Sequence, residues 1–395
     1  MNYFLAIVGA GPAGYTAAEL ALKAGKSVVL FEKEAVGGTC LNVGSIPTKT
    51  LLYSAKQYAS ALHADKYGVH VEGASFDFAA MQQRKTRVVR RLAAGIRAKL
   101  KGAEFVQGEA AMTSPHTLVC NGVEYEAENI LLATGSHNLV PPIPGINDPR
   151  VMDSTAALNL TAVPASVAII GGGVIGMEFA TLFHLLGAKV SIYEAAPTIL
   201  PNIDPDIVAY LRAKYEKEGI EIHTATAVAN IADLDAERVL VCVGRRPNRQ
   251  GFEDYLSLPN VYTAGDVSSK IMLAHVASRE AEVAVHQMLG IEDSIDYEAI
   301  PSVVYTYPEI ACVGAPIGDE VRTIPMTYSG RFMAENEGEL GLLKLVLRDG
   351  CIAGVHMIGN PCSEFLSTAV LAVQQRLTPA DFRRFVFPHP TVSEV

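Results

Sequence analysis

The chain repeats one supersecondary unit, and that repeat narrows what its 395 residues can fold into more than any other feature. In the first copy Phe4 to Val8 reads as a short apolar strand, Gly9-Ala10-Gly11-Pro12-Ala13-Gly14 as a tight turn, and Tyr15 to Ala24 as an alanine-rich helix. A second strand, Ser27 to Phe31, ends at Glu32. In the second copy Val167 to Ile170 leads into Gly171-Gly172-Gly173-Val174-Ile175-Gly176, a helix runs to Leu186, and a strand from Lys189 to Tyr193 ends at Glu194. Both acids stand 23 residues after the first glycine of their turn. A GxGxxG string alone is a weak signal, but with a strand before it, a helix behind it and an acid at the end of the next strand it marks a unit built for a dinucleotide. Gly9 and Gly171 would turn the chain, Gly11 and Gly173 let backbone approach a pyrophosphate, and Gly14 and Gly176 let helix pack on strand. The helix N-terminus offers unpaired N–H groups and a positive dipole end to the phosphates. A carboxylate at Glu32 or Glu194 can accept the hydroxyl hydrogens of an adenosine ribose. Two such units predict two bound dinucleotides.

Three further strand ends belong to the same pattern. Ile130 to Gly135 is an apolar strand closing in Ala133-Thr134-Gly135, and Val239 to Gly244 repeats the idea before Arg245-Arg246-Pro247-Asn248. Val261 to Asp266 delivers an aspartate at the Gly265 turn. The ends of buried parallel strands are where open α/β sheets bind ligands. The proline-rich stretch Val140 to Gly145 reads as a linker, and a helix from Ala274 to Leu289 leads to a last region with strands Leu342 to Leu347 and Ile352 to Ile358 and a helix from Cys362 to Gln375. The expected fold is α/β, with two Rossmann-like dinucleotide-binding domains and a C-terminal α+β domain. The expected boundaries are 1–149 with 259–299, then 150–258, then 300–395.

Composition removes several function classes. Hydrophobic residues make up 49% of the chain, enough for more than one core, and a formal charge of −10 argues against nucleic acid or an anionic membrane as partner. The basic stretch from Arg84 to Lys101 reads as a helix with Val88, Val89, Leu92, Ile96 and Leu100 as an apolar stripe and a solvated basic face. The opening residues carry no basic leader and no stretch is long and apolar enough to span a bilayer, so a cytoplasmic location is expected. Cys40, Cys120, Cys242, Cys312, Cys351 and Cys362 are scattered without zinc-like pairing, so no metal site is expected and most should be small buried hydrophobes.

Taken with these motifs, the chain resembles the class I pyridine-nucleotide disulfide oxidoreductases, and within them the dihydrolipoamide dehydrogenases. The most specific pieces are GGTCLNVGSIPTK from Gly37 to Lys49, VYTAGD with LAH from Val261 to His275, and HPTVSE from His389 to Glu394. The resemblance implies that the first glycine turn holds FAD and the second NAD, and that Asp266 meets the flavin's ribityl chain. It adds Gly38, Thr39, Ala133, Thr134, Gly135, Gly244, Gly265, Met272, Leu273 and Ala274 to the cofactor-binding residues, with His275 structural beside the flavin. It makes the last domain a dimerisation domain and the protein a homodimer. In the family a Cys-x-x-x-x-Cys pair on one helix faces the flavin; here its positions are Cys40 and Ser45. Lys49 matches the family lysine near the flavin and Glu178 its glutamate partner, while His389 and Glu394 match a histidine–glutamate base that reaches the other subunit's cysteine.

Ser45 is the departure that falls on the chemistry, because a dithiol accepts two electrons by closing a disulfide and one thiol cannot do so alone. The chain is also short where the family has a β-meander after Val228-Ala229-Asn230, a stretch after Gly251-Phe252, and a helix after Gly318-Asp319-Glu320. The first expectation is an FAD-containing, NAD-dependent dihydrolipoyl dehydrogenase lacking the flavin-proximal cysteine, whose partner would be dihydrolipoamide or a lipoyl domain of a 2-oxo acid dehydrogenase or glycine cleavage complex. The second is a single-cysteine flavoprotein passing hydride between nicotinamides, as a transhydrogenase, or from NADH to quinones. The third is a non-catalytic flavin-bearing subunit of a dehydrogenase complex.

Overall fold

A computed structural model describes residues 2–268 and 270–395. The chain divides into two compact units, one made of Met1–Thr50, Ala79–Leu139 and Gly244–Ile295, the other of Leu51–Phe78, Val140–Val243 and Asp296–Val395.

In the first unit the strands Glu104–Gln107, Val28–Glu32, Tyr3–Val8 and Val123–Leu132 run parallel in that spatial order, and Val261–Thr263 adds to Val123–Leu132. The strands Thr117–Cys120 and Ala111–Ser114 extend it as an antiparallel ribbon. Val28–Glu32 is buried at every position, which is why it reads as an unbroken apolar run instead of alternating. Helix α1, Pro12–Lys23, lays Ala13, Ala17, Ala18 and Ala21 against Leu5, Ile7 and Leu30 on one side and against Ala277, Ala281 and Ala284 of the helix Ala274–Met288 on the other. Alanine at all these contacts lets backbones approach closely, and Pro12 at the first turn presets the helix where its missing N–H costs nothing.

The second unit holds two five-stranded sheets. One is wholly parallel, in the order Glu221–His223, Lys189–Tyr193, Ser166–Ile170, Arg238–Val241, Val151–Met152. The other is antiparallel, in the order Ser302–Val304, Ile310–Gly314, Cys351–Ile358, Leu342–Arg348, Glu320–Pro325, and packs the helix Cys362–Gln374 through Leu366, Ala369 and Ala372. Two of the three places where the chain is short are brief turns here, and at the third Glu320 opens the strand Glu320–Pro325. Ile231–Asp233 is a single 3₁₀ turn before the strand Arg238–Val241, and Glu253–Tyr255 is another before Val261–Thr263. The expected α/β organisation, with two parallel sheets and an α+β C-terminal part, is the one observed.

Two details differ from the sequence expectation. The basic helix spans Phe78–Lys99, but Leu92 of its supposed apolar stripe is 42% exposed, while Ala93, Ile96 and Leu100 pack into the core of the first unit. Of the six cysteines, Cys120, Cys312 and Cys362 are buried and the rest half-buried; burial pushes the Cys312 thiol up to about 11 and Cys242 to about 12, so neither is a thiolate near neutrality. Among the described residues no helix is long and apolar enough to cross a membrane, and no cluster of His, Cys, Asp and Glu could hold a metal.

Candidate functional site

The two glycine turns have the same internal logic. Gly9 has φ +104°, and a Cβ there would lie 2.3 Å from the Ala133 carbonyl oxygen; a Cβ at Gly14 would lie 1.8 Å from that of Gly9. The fold itself therefore requires both. Gly11 is different. Its backbone is extended at φ −73°, ψ −171°, and an added Cβ would meet nothing nearer than Gly38 Cα at 3.8 Å. In the second turn a Cβ at Gly171 (φ +109°) would lie 2.5 Å from the Cys242 oxygen and one at Gly176 2.0 Å from the Gly171 oxygen, while at Gly173, again extended, it would meet nothing within 4 Å. In both copies the outer glycines serve the chain, and the middle one leaves a cradle open at the N-terminus of a helix 12 residues long. That is the space a pyrophosphate needs, and the residues present fit one.

The acids that close each unit also match. Glu32 accepts the Ala10 N–H at 2.7 Å on Oε2 and the Glu34 N–H at 2.8 Å on Oε1; Glu194 accepts those of Gly172 and Ala196, both at 2.7 Å. Each carboxylate thus clamps the backbone of its own turn, a task the sequence did not reveal. Each oxygen keeps a second lone pair for a ribose hydroxyl.

Around the first turn, Gly38 sits back to back with Gly11, so that a Cβ at Gly38 would lie 2.7 Å from Gly11 Cα. Thr39, beside it, is exposed. Ala133 is buried under Gly9. The Thr134 hydroxyl donates to the Asn248 oxygen at 2.5 Å, and the Asn248 N–H donates to Gly135 O at 2.9 Å. Gly265, at φ +82°, gives its N–H to Glu280 Oε2 at 2.7 Å, which fixes the turn carrying Asp266. Met272 and Leu273 lead into the helix that starts at Ala274, with Leu273 at its N-cap. Gly244, at φ +120°, follows the strand Arg238–Val241 with open space where a Cβ would stand.

Cys40 lies on α2, Gly38–Asn42, and Ser45 begins α3, Ser45–Leu62. The motif thus spans two helices, not the single helix implied by the resemblance. The chain breaks at Gly44, where a Cβ would lie 2.7 Å from the Thr39 oxygen, too close for the helix to continue with a side chain. Even so, the break brings the two positions together: Cys40 Sγ and Ser45 Oγ are 2.8 Å apart. Both are half-buried, and Lys49 is half-buried one turn further along α3.

In the second unit Glu178 lies on the helix Val174–Leu185, only 4% exposed, and accepts the Tyr305 N–H at 3.1 Å. The His389 side chain is 78% exposed and its Nδ1 lies 2.8 Å from Glu394 Oε1, while Glu394 Oε2 accepts the Thr391 N–H at 2.9 Å. The Thr391 amide and then His389 hold the Glu394 carboxyl below the usual carboxylate range. A hydrogen on Nδ1 donated to Glu394 leaves Nε2 as the acceptor nitrogen of the neutral ring. Sequence reasoning had not singled out Ser136, Glu280 or Tyr305, nor given Arg245 a role. The available signals were weak: Ser136 and Arg245 each directly follow a predicted binding glycine.

The family model described as pyridine nucleotide-disulphide oxidoreductase matches residues 3–281, and that of the pyridine nucleotide-disulphide oxidoreductase dimerisation domain matches residues 300–395. The chain is 36% identical to dihydrolipoyl dehydrogenase of Chlamydia trachomatis over 438 residues, covering 98% of this chain and 94% of that protein. It is 36% identical to that of Geobacillus stearothermophilus over 442 residues, covering 98% and 93%. The first of these alignments takes in 98% of a 395-residue chain, leaving about fifty of its 438 positions without a residue here, as internal shortening requires. Among solved structures it is similar to the HOCl-induced flavoprotein disulfide reductase RclA from Escherichia coli, with 27% identity, a TM-score of 0.87 and coverage of 99% and 98%. LpdA from Mycobacterium tuberculosis shares the fold at a TM-score of 0.89 and 22% identity, covering 99% and 97%.

Proposed function

The chain belongs to the pyridine nucleotide-disulphide oxidoreductases, NAD-dependent flavoproteins that use FAD, and from that membership we propose that it is a dihydrolipoyl dehydrogenase in which Ser45 occupies the flavin-proximal position of the redox pair. The observation that carries this reading is the 2.8 Å approach of Cys40 Sγ to Ser45 Oγ: the chain holds the two positions as a bonded pair although one lacks sulfur. FAD, when bound, supplies two-electron chemistry between a thiol pair and a nicotinamide.

The assignments of the chain's own residues follow. Gly9, Gly11 and Gly14 with the N-terminus of α1 hold the FAD pyrophosphate, Glu32 its adenosine ribose, and Asp266 its ribityl chain. Gly38, Thr39, Ala133, Thr134, Gly135, Gly265, Met272, Leu273 and Ala274 line the same site. Gly171, Gly173, Gly176, Glu194 and Gly244 hold NAD. By the family resemblance Lys49 and Glu178 are each assigned to the redox centre. His389, oriented by Glu394, is the base for the proton of a dihydrolipoamide thiol; attack of that thiolate on Cys40 sulfur requires a disulfide whose second sulfur leaves, and Ser45 supplies none. The dimerisation domain supports a homodimer in which His389 serves the partner's Cys40. Dihydrolipoamide, or a lipoyl domain of a 2-oxo acid dehydrogenase or glycine cleavage complex, is the partner.

A second reading has one specific observation in its favour: with a hydroxyl at Ser45, the pair cannot cycle through a disulfide, and hydride transfer between nicotinamides or to quinones needs no disulfide. Steady-state assays with NADH and lipoamide, thio-NAD or a quinone separate the readings. Slow lipoamide reduction with persistent quinone reduction is expected; rapid thio-NAD reduction would favour the transhydrogenase, and no turnover with any acceptor would favour the non-catalytic subunit.

The nicotinamide preference follows from Glu194. Its two oxygens are tied to the Gly172 and Ala196 amides, so the carboxylate cannot swing away from a 2′-phosphate. Like charges held together cost several kcal/mol, and each 1.4 kcal/mol is tenfold in affinity, so NADPH is expected to be about a hundredfold poorer than NADH in kcat/KM for flavin reduction. Equal efficiency in stopped-flow reduction would remove Glu194 from the cofactor site.

A further inference from the structure

We propose that Arg245, acting through Ser136, is the positioning residue that sets the Asp266 carboxylate for its contact with FAD. The inference rests on the reading that Asp266 holds the ribityl chain, and deepens it by assigning what holds Asp266.

The direction of each hydrogen bond is fixed by chemistry. Arg245 Nε donates to Ser136 Oγ at 2.7 Å, its Nη2 donates to Ser136 O at 2.7 Å, and its Nη1 donates to Asn138 Oδ1. A guanidinium has no acceptor, so Ser136 Oγ must spend a lone pair on Arg245 and turn its own proton elsewhere. That proton goes to Asp266 Oδ2, 2.5 Å away, a short charge-assisted bond of the O–H···O⁻ kind. The relay therefore runs one way, from guanidinium to hydroxyl to carboxylate. Its first two members sit on a two-stranded ribbon, Ser136–Asn138 against Arg245–Pro247, in which Arg245 pairs with Asn138 and Pro247 with Ser136.

The turn beneath Asp266 is held by something else. Glu280, buried on the helix Ala274–Met288, accepts the Gly265 N–H at 2.7 Å and the Ser268 hydroxyl at 3.2 Å. Backbone and carboxylate are thus fixed by separate devices. Loss of the relay leaves the Gly265 turn in place and frees the carboxylate to rotate. With the relay intact, Oδ2 is spoken for and Oδ1, which has no partner among the described residues, is the oxygen presented to a ligand hydroxyl. An acceptor already held in its binding rotamer loses no rotational freedom on binding, which is worth about tenfold in affinity.

The test is FAD affinity, read from the recovery of flavin fluorescence as the holoenzyme releases FAD on dilution, with far-UV circular dichroism and the thermal midpoint of the apoprotein as fold controls. Ser136→Ala and Arg245→Met are each expected to weaken FAD binding about tenfold, the double variant no more than either alone, and Ser136→Thr is expected to retain wild-type affinity. Asp266→Ala is expected to lose more than either. If Asp266→Ala binds FAD normally, the reading of Asp266 itself fails. If Asp266→Ala weakens binding while Ser136→Ala does not, or if the single losses multiply in the double variant, the relay is overturned and the reading of Asp266 stands. Should Arg245→Met fail to fold, the contrast between Ser136→Ala and Ser136→Thr decides alone: equal affinities overturn the relay.

Discussion

Replacing Ser45 by cysteine is expected to turn a protein that reduces lipoamide at a barely detectable rate into one that does so at least about a thousandfold faster, a change of ~4 kcal/mol in barrier. The reason is stoichiometric. Dihydrolipoamide gives up two electrons as its two thiols become a disulfide, and the receiving pair must open a disulfide to take them. Cys40 has no sulfur to pair with at residue 45, and a serine hydroxyl is neither a comparable nucleophile nor a redox partner. The geometry for a disulfide is nearly present, since Cys40 Sγ and Ser45 Oγ are 2.8 Å apart and an S–S bond of about 2.05 Å needs less than an ångström of further approach. Three readouts should change together in Ser45→Cys. Thiol titration of the denatured, unreduced protein should find the new cysteine and Cys40 both blocked. Two-electron reduction should bring up a long-wavelength thiolate-to-flavin absorbance that the unaltered protein lacks, because a serine hydroxyl is not ionised near neutral pH. Lipoamide turnover should appear. The unaltered protein should meanwhile keep reducing quinones or dyes with NADH, which require no thiol. If Ser45→Cys forms the disulfide and still does not oxidise dihydrolipoamide, while the unaltered protein moves hydride rapidly between nicotinamides, the transhydrogenase reading takes over.

What could be read ahead of the structure was whatever local geometry dictates. The first turn is forced by the Gly9 and Gly14 positions, and the helix after it begins at Pro12, three residues before the alanine pattern suggests, because proline suits the first turn of a helix. The strand Lys189–Tyr193 falls where its apolar run puts it. Long-range partners were not legible. Ser136 reaches Asp266 across 130 positions of sequence and Tyr305 reaches Glu178 across 127, and no periodicity encodes such pairings. The break between α2 and α3 was missed for a related reason: Gly44 looks like one glycine in a helical run until the Thr39 carbonyl is seen to fill the space of its Cβ. Leu92 fits an apolar stripe by spacing alone, but spacing says nothing about whether a neighbouring element arrives to cover it. The clamps made by Glu32 and Glu194 were hidden by their success as motif residues, since a ligand role seemed to explain them fully.

The glycines offer the sharpest separation of fold from function. Gly14→Ala is expected to unfold the protein or cost it more than about 4 kcal/mol, because its Cβ would lie 1.8 Å from the Gly9 carbonyl and only backbone movement could relieve that. Gly11→Ala should do nothing of the kind. Its φ of −73° suits alanine and its new methyl would meet only Gly38 Cα at 3.8 Å. Alanine is a poorer N-cap than glycine by up to ~1 kcal/mol, but it also restricts the unfolded chain by about 0.4–1 kcal/mol, so the apoprotein should keep its thermal midpoint within a few degrees. FAD should nevertheless be lost, with affinity down at least about a hundredfold, because the methyl occupies the space where backbone must meet pyrophosphate. Gly173→Ala is the mirror experiment: the protein should fold and keep its flavin while the KM for NADH rises by a similar factor, since nothing in the chain lies within 4 Å of that Cβ. Four measurements cover both variants, namely the apoprotein midpoint, flavin content, and the kcat and KM for NADH-dependent dye reduction. A Gly11→Ala protein that binds FAD with wild-type affinity would mean that the cradle at α1 holds no pyrophosphate. A Gly173→Ala protein that loses flavin but keeps its KM would mean that the two turns have been assigned to the wrong dinucleotides.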